Sequence, residues 1–346
     1  MIRSTDRGRS WQAITISPPP PGDRLRQFVL ALSPAFASDR TVFAATRHGE
    51  VFRSEDAGDP GTWERLGGFD DERVRSLAVS PDYTRDRTLY AGTVAGVYSS
   101  DDGGRTWSAP GPRMATPPEG GEDDLGALVA MSPDYRSDGT VFAGTDGGLF
   151  VTRDRGRSWA RVTAPPLTTS SQVEAVAVSP DYAQGRTVLV STRELGLVQS
   201  TDGGRSFQRV GIELFDSNRI IADFTNPTSM PIQFSPTFAT DRTVFAYAQT
   251  DVLRSTDGGE SWEALPLPNS RDVLERVGSA PGPQWFETPI GNLSRRRVLA
   301  AVGAGVLASA ALSALRVGGR RTGPALALHF GVGLAVLAVA LVVLAK

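Results

Sequence analysis

The sequence contains no cysteine, only two histidines and a single lysine, and each shortage excludes a class of site. Without cysteine there can be no disulfide, no thiolate nucleophile and no cysteine-ligated zinc. With His48 and His329 as the only histidines, we expect neither a histidine-rich metal centre nor a Ser-His-Asp triad. Lys346 is the last residue, so a Gly-Lys-Ser/Thr phosphate loop is absent. We therefore expect no metal and no cofactor, with carboxylates as the remaining catalytic groups.

A strong excess of charge of either sign is also missing. The 346 residues include 36 Lys and Arg against 38 Asp and Glu, a formal net charge of -2. Proteins that hold nucleic acid through bulk electrostatics carry a clear positive excess. The composition thus predicts that nucleic acid is not a partner.

What the sequence does contain is internal repetition, which indicates a repeat architecture. One motif joins Ser-Pro to a Thr eight residues later, followed by two apolar residues. Its five copies, which we call Ser-Pro turns, are Ser33–Phe43, Ser80–Tyr90, Ser132–Phe142, Ser179–Leu189 and Ser235–Phe245.

A second motif follows each of these copies and has the pattern Ser/Thr-x-Asp-x-Gly-x-Ser/Thr-Trp. With an additional copy at the start of the chain, its six instances, which we call Asp turns, are Ser4–Trp11, Ser54–Trp63, Ser100–Trp107, Thr152–Trp159, Ser200–Phe207 and Ser255–Trp262. An Asp side chain can accept the N–H groups of a tight turn, and Gly tolerates its positive φ angles. The pattern therefore predicts structural hairpins.

Each repeat reads as four short strands. In the third copy, β-branched and aromatic runs predict strands over Leu128–Met131, Thr140–Gly144, Leu149–Thr152 and Trp159–Val162. Four-stranded units that recur every 40 to 50 residues or so are typical of β-propeller blades. We expect an all-β propeller over residues 1–268.

The Asp turns resemble the Asp-box, or bacterial neuraminidase repeat, of sialidase-like β-propellers. Similar repeats occur in sortilin-type receptors, xyloglucanase-type glycoside hydrolases and photosystem II assembly factors. In these families the Asp-box is a folding element that lies away from the active site. The resemblance implies structural roles for the Asp-turn carboxylates and closing aromatic residues, namely Asp6, Asp56, Asp102, Asp154, Asp202, Asp257, Trp11, Trp63, Trp107, Trp159, Phe207 and Trp262.

The number of repeats leaves the propeller incomplete. Five complete blades fit between residues 26 and 268, and Met1–Ser17 supplies only part of a sixth. A closed ring joins its ends by completing one blade with strands from both termini. Because the chain opens inside a repeat with no secretory signal before it, we expect an N-terminally truncated propeller.

The C-terminal part is apolar and has a different character. After a linker at 269–294, two uncharged runs at about 298–315 and 324–345 would form helices of about 27 and 33 Å, long enough to span a bilayer. We predict a transmembrane helical hairpin over 295–346, which makes the chain an integral membrane protein. The basic residues outside the hairpin (Arg295–Arg297 and Lys346) and in its loop (Arg316, Arg320 and Arg321) leave its orientation open. We place the propeller outside the cytoplasm.

Strand order assigns two faces to the propeller. Ser-Pro turns and Asp turns lie at one end of the sheets, which we call the Asp-turn face. Turns between second and third strands lie at the other end with the connections between blades, and this end is the loop face. Connection lengths vary there, as expected of a binding surface. The candidate binding residues on the loop face are Arg47, His48, Asp146, Arg193, Glu194, Arg219, Asp223 and Asp251.

Two functions remain open after these exclusions. The first is a membrane-anchored module that binds a protein or glycan on its loop face. The alternative is an extracytoplasmic glycoside hydrolase, sialidase-like or xyloglucanase-like, with paired carboxylates drawn from Asp123, Asp124 and Glu194. A sialidase would also need a tyrosine nucleophile, but the six tyrosines of the chain occupy repeated positions or strands.

Overall fold

A computed structural model describes residues 2–6, 10–14, 16, 28–46, 48–69, 73–108, 111, 126–168, 171–211, 232–248 and 251–265. Two compact units contain them. The larger unit spans Thr15–Ala246 and Leu253–Glu263, and the smaller includes the described residues of Met1–Ile14 and Tyr247–Val252.

The described residues form five successive antiparallel sheets and one N-terminal strand pair. The pair consists of β1 (Ile2–Arg3) and β2 (Gln12–Ala13). Sheet 1 contains β3 (Phe28–Leu32), β4 (Val42–Thr46), β5 (Glu50–Ser54) and β6 (Trp63–Gly68). Sheet 2 contains β7 (Val74–Val79), β8 (Leu89–Thr93) and β9 (Val97–Ser100). Sheet 3 contains β10 (Leu128–Met131), β11 (Val141–Thr145), β12 (Gly148–Thr152) and β13 (Ala160–Arg161). Sheet 4 contains β14 (Val173–Val178), β15 (Val188–Thr192), β16 (Gly196–Ser200) and β17 (Gln208–Arg209). Sheet 5 contains β18 (Ile232–Phe234), β19 (Val244–Ala248), β20 (Asp251–Ser255) and β21 (Glu263–Leu265).

Within each sheet the strands are hydrogen-bonded in chain order, so the prediction of four-stranded antiparallel units is confirmed for sheets 1, 3, 4 and 5. Sheet 2 has three assigned strands. Two further backbone bonds, from Ser108 to Ser99 (2.8 Å) and from Gly111 to Val97 (2.7 Å), extend it along β9. The all-β class thus follows from the repeated alternation of strands and turns.

In the larger unit, successive sheets meet through their first strands. β3 contacts β7, β7 contacts β10, and β10 contacts β14. Ser76 links two of these strands, because its hydroxyl donates to the Ala127 carbonyl (2.9 Å) and accepts the Val129 N–H (3.0 Å). Side-by-side packing of four-stranded sheets through their first strands is the blade arrangement of a β-propeller.

The Ser-Pro turns contain a helical turn that was predicted only as a turn. The one-turn helices are α1 (Phe36–Asp39), α2 (Tyr83–Asp86), α3 (Tyr135–Asp138), α4 (Tyr182–Gly185) and α5 (Phe238–Asp241). In α2 the Ser80 hydroxyl donates to Asp86 (2.6 Å), and Arg87 ends the helix in a left-handed conformation with φ of 54°. The eight-residue spacing reflects this closed turn.

The tyrosine that begins each of the helices α2, α3 and α4 packs against an aromatic residue of the preceding sheet. The Tyr83 ring meets Phe43 of sheet 1 edge to face at 5.3 Å, and Tyr182 meets Phe142 of sheet 3 at 6.2 Å. Tyr135 meets Tyr90 of sheet 2, and their hydroxyls are 3.0 Å apart. These tyrosines are buried between sheets, which gives them a structural role.

The predicted C-terminal hairpin and the linker before it lie outside the described residues. Among the residues that the structure does describe, no helix has the length and apolar character that a bilayer crossing requires.

Candidate functional site

Hydrogen bonds from within the turn occupy the carboxylate oxygens of the Asp turns, with Asp56 as the exception. In sheet 2, Asp102 accepts the N–H groups of Arg105 and Thr106, both at 2.9 Å. It also accepts the hydroxyls of Ser100 (2.8 Å) and Thr106 (2.6 Å). Burial opposes ionisation of Asp102, but the bonds from Thr106, Ser100 and Arg105 outweigh it and lower its pKa to about 2.

The same arrangement occurs in the Asp turns of sheets 3, 4 and 5. The Ser158 hydroxyl and N–H and the Thr152 hydroxyl lower the pKa of Asp154 to about 2. Burial opposes the shift at Asp257, but bonds from Ser261 and Ser255 lower its pKa to about 2 as well. In the N-terminal copy, Asp6 accepts the N–H (2.8 Å) and hydroxyl (2.6 Å) of Ser10. The carboxylate oxygens of these aspartates therefore already accept hydrogen bonds from residues of their own turns.

Asp56 differs from the role predicted for it. Its carboxylate accepts a bond from Arg40 Nε at 2.8 Å, and the pair is half-exposed. The turn itself is held by Ser54 and Thr62, whose hydroxyls are 2.7 Å apart. This copy carries a two-residue insertion, which lengthens the segment between the Asp and the closing Thr.

The aromatic residues that close the Asp turns pack against them. Trp63 and Trp262 are 7% and 6% exposed, and Phe207 is 8% exposed. The indole N–H of Trp262 donates to the Gly259 carbonyl (3.0 Å), and that of Trp63 donates to Gly58 (3.2 Å). Trp11, Trp107 and Trp159 are half-buried.

The two faces are separated as strand order predicts. In sheet 2 the Gly103 N–H of the Asp turn donates to the Arg87 carbonyl of the Ser-Pro turn at 2.9 Å. In sheet 4 the Gly203 N–H donates to Arg186 at 3.0 Å. Both turn types therefore share one end of each sheet.

The candidate binding residues fall into three groups. On turns between second and third strands are His48, Asp146, Arg193 and Glu194, with His48 exposed after β4. Asp251 is the first residue of β20, so it lies in a strand and not in the short turn that the sequence indicated. Outside the described residues lie Arg47, Asp123, Asp124, Arg219 and Asp223.

Arg193 and Glu194 belong to a connected polar cluster at the end of sheet 4. The Arg193 N–H donates to the Gln172 carbonyl (3.0 Å), and its guanidinium donates to the Gln172 side chain (3.2 Å). Glu194 accepts the Gln172 N–H at 3.1 Å. We call Gln172, Glu174, Arg193 and Glu194 the loop-face cluster.

Glu174 is the buried member of this cluster. It lies on β14 at a register shift between Val173 and Ala175, and it is 3% exposed. Burial raises its pKa to about 7; Arg193 opposes the rise and Glu194 adds to it. A carboxyl group whose pKa lies near neutrality can hold or release a proton under ordinary conditions.

Sequence reasoning identified Arg193 and Glu194 but missed Gln172 and Glu174. The available signal was a single carboxylate inside an otherwise apolar run, Val173–Val178. In sheet 2 the same bulge position holds Arg75, which is exposed. The repeat alone therefore does not predict an acid there.

The cluster combines the buried, protonatable carboxyl group of Glu174, the exposed carboxylate of Glu194 and the guanidinium of Arg193. This set can orient a polar ligand or transfer a proton. Within the described ranges, no group of three or more His, Asp or Glu residues is placed to hold a metal ion.

Comparisons with known proteins place this geometry in context. No family model matches the sequence. The chain is 37% identical over 75 residues to an oligoxyloglucan-reducing end-specific xyloglucanase of Emericella nidulans, a match that covers 21% of this chain and 9% of that protein.

Among solved structures, the chain is similar to an ancestral GH74 enzyme, with a TM-score of 0.48 and 19% identity over 69% of this chain and 31% of that one. It is similar to the GH74 enzyme of Niastella koreensis, with a TM-score of 0.46 and 17% identity over 68% and 37% of the two chains. It is also similar to YCF48 bound to a D1 peptide, with a TM-score of 0.45 and 13% identity over 74% and 72%. The chain spans about a third of the two GH74 enzymes.

Proposed function

We propose that this protein is a membrane-anchored β-propeller module that binds a protein or glycan ligand on its loop face. The observation that carries the proposal is the contrast between the two faces. On the Asp-turn face, carboxylates such as Asp102 have their acceptor sites filled by their own turns. On the loop face, Arg193 and Glu194 interact electrostatically with the buried acid Glu174, at a position where sheet 2 has Arg75.

A buried acid next to a charged pair costs free energy of folding. Such a cost is typical of binding and catalytic sites, where polar groups are held ready for a ligand. A ligand with hydroxyl or amide groups would form hydrogen bonds with Arg193 and Glu194 at this end of sheet 4. The finer assignment to the Asp-box, sialidase-like propellers is part of this proposal and rests on the turn motif.

Site-specific crosslinking tests which face binds. A photoreactive amino acid in place of His48, on the loop face, should capture a ligand in native membranes. The same group in place of Arg105, exposed on an Asp turn, should not. The captured species should be lost when the His48 probe is combined with Arg193→Gln. Equal capture from both positions would contradict the proposal.

Membrane anchoring is supported by the apolar C-terminal sequence. Deletion of Arg295–Lys346 should move the protein from the membrane fraction to the supernatant, because the two uncharged runs would be removed. Continued sedimentation with the bilayer after this deletion would contradict the hairpin. Protease digestion of intact cells would then test whether the propeller faces outward, as we propose.

A second candidate, glycoside hydrolysis, is favoured by one specific observation. Glu174, with its pKa raised to about 7, and Glu194 form a pair of interacting carboxylates, as acid and base or nucleophile do in glycosidases. The local similarity to a xyloglucanase indicates xyloglucan oligosaccharides as the substrate to test. Because Glu174 is 3% exposed, a substrate could not reach it without movement, and we rank this candidate second.

The two candidates separate in one assay. Product release from xyloglucan oligosaccharides that Glu174→Gln abolishes would establish the hydrolase. Saturable binding of the same oligosaccharides without product release would establish a glycan-binding module.

A further inference from the structure

We propose that one arginine in each sheet acts as a clasp between the Ser-Pro turn and the Asp turn, and that either turn can supply it. The two turns meet at a backbone hydrogen bond, in which an Asp-turn N–H donates to the carbonyl of the residue that ends the Ser-Pro helix. The residues joined in this way, which we call the clasp pairs, are Arg40 and Ala57 (2.7 Å), Arg87 and Gly103 (2.9 Å), Gly139 and Arg155 (3.1 Å), Arg186 and Gly203 (3.0 Å), and Arg242 and Gly258 (2.8 Å). Every clasp pair contains one arginine and one glycine or alanine.

The arginine of the clasp pair comes from a different turn in sheet 3 than in the other sheets. In sheets 1, 2, 4 and 5 the arginine ends the Ser-Pro helix, and the small residue belongs to the Asp turn. In sheet 3 the order is reversed, because Gly139 ends α3 and Arg155 lies in the Asp turn. Both members of this pair differ from their counterparts, yet the pair still has one arginine and one small residue. The linked difference indicates a single requirement that either turn can meet.

The arginine makes contacts with the Ser-Pro helix that a small residue could not make. The guanidinium of Arg242 lies 4.5 Å from the ring centre of Phe238, the first residue of α5. Arg87 is placed in the same way, 5.3 Å from the ring of the first residue of α2. In sheet 3 the guanidinium of Arg155 donates to the Arg136 carbonyl within α3 at 2.6 Å. In these three sheets the side chain therefore contacts the Ser-Pro helix, whichever turn supplies it.

Backbone conformation and space explain why the second residue of each pair is small. Both residues of every clasp pair have positive φ angles, between 48° and 88°. This conformation is unfavourable for residues with a side chain and is readily adopted by glycine. A Cβ atom added at Gly139 would lie 3.2 Å from Cγ of Arg155, and one added at Gly258 would overlap the guanidinium of Arg242. A second arginine would therefore compete with the first for the same place.

Thermal unfolding of the full-length chain in a non-ionic detergent tests the inference by moving the arginine of sheet 3 from one turn to the other. Gly139→Arg alone should lower the melting temperature by about 2–4 °C, because two arginines then meet at one contact. Gly139→Arg combined with Arg155→Gly gives sheet 3 the arrangement of sheets 2, 4 and 5. The melting temperature of this exchanged variant should return most of the way to the wild-type value.

A matched double variant separates the contact from charge and glycine content. Gly139→Arg combined with Arg157→Gly has the same composition as the exchanged variant, but it removes an exposed arginine of the same Asp turn that belongs to no clasp pair. The new Cβ lies 3.1 Å from the Arg153 carbonyl oxygen and 3.1 Å from the backbone nitrogen of residue 155 in both double variants, so these contacts cancel in the comparison. The single variants Arg155→Gly and Arg157→Gly complete the two cycles. We expect Arg155→Gly to restore stability and Arg157→Gly to leave the loss in place.

Two results would overturn the inference. One is equal recovery of stability with Arg155→Gly and with Arg157→Gly, and the other is a wild-type melting temperature for Gly139→Arg alone. If Gly139→Arg prevents folding altogether, a folded exchanged variant supports the inference, and an exchanged variant that also fails to fold overturns it. These measurements need no ligand, so they are independent of the function proposed for the loop face.

Discussion

The carboxylates at the two ends of the sheets have opposite properties although they are the same chemical group. At the Asp-turn face, Asp102 and Asp154 receive several hydrogen bonds, and their pKa values are lowered to about 2. At the loop face, Glu174 is buried beside Glu194, and its pKa is raised to about 7. Hydrogen bonding to the charged form stabilises the first group, whereas desolvation penalises the second. The ionised carboxylates of the Asp turns therefore stabilise the fold, whereas the ionised carboxylate of Glu174 lowers its stability.

The largest expected effect concerns Glu174→Gln. The folded-state pKa is raised from 4.5 to about 7, so Glu174 costs no stability below pH 4.5 and destabilises the folded state progressively as pH rises to about 7. That difference corresponds to an upper limit of about 3 kcal/mol. Denaturant unfolding at pH 8 should therefore show the variant to be more stable than the wild type, with the gain vanishing near pH 4.5. A variant that is less stable than the wild type at pH 8 would contradict the claim that ionised Glu174 destabilises the folded state.

A smaller effect of opposite sign is expected for Asp102→Ala. The substitution leaves the N–H groups of Arg105 and Thr106 without their acceptor, which by analogy with helix caps costs about 1–2 kcal/mol. Thermal unfolding should occur at a lower temperature, and ligand capture from the His48 position should persist. An unchanged melting temperature with lost capture would show that the Asp turns bind ligand.

The wild-type contribution of Asp102 also has a defined pH window. Its folded-state pKa is lowered, so the stabilisation is present above about pH 3.8 and is lost as pH falls toward 2. The stability difference between wild type and Asp102→Ala should shrink over that range.

The smallest effect is expected for Asp56→Asn. Asp56 forms a half-exposed ion pair with Arg40, and pairs of this kind contribute about 0–1 kcal/mol. The melting temperature of the Asp56→Asn variant should stay close to that of the wild type, and the two should converge at high salt. A loss as large as that of Asp102→Ala would mean that Asp56 holds its turn after all.

Much of the fold could be predicted from the sequence because the same physical requirement recurs in each unit. The Ser80 to Asp86 bond and the bonds around Asp102 are local, so they depend only on residues a few positions apart. Strand order followed from the alternation of the two turn types. The sequence did not show the one-turn helices, although their left-handed final residues, such as Arg87, are part of the repeat.

The site was less predictable because it depends on exceptions to the repeat. Glu174 is buried at a register shift in β14, whereas Arg75 is exposed at the same position of sheet 2, so no single-sequence pattern indicates the burial. Asp56 leaves its expected role because an insertion separates it from Thr62. Arg193 and Glu194 were identified because they lie on a turn whose position follows from strand order.

The most direct test of the contrast between the faces is a carbon-13 NMR titration of the side-chain carboxyls of Glu174 and Asp102 in the full-length chain. We predict that Glu174 titrates near pH 7 and that Asp102 titrates near pH 2. Arg193→Gln should raise the Glu174 value further, because the guanidinium favours the ionised carboxylate. A Glu174 pKa near 4.5 that is unaffected by Arg193→Gln would contradict the account.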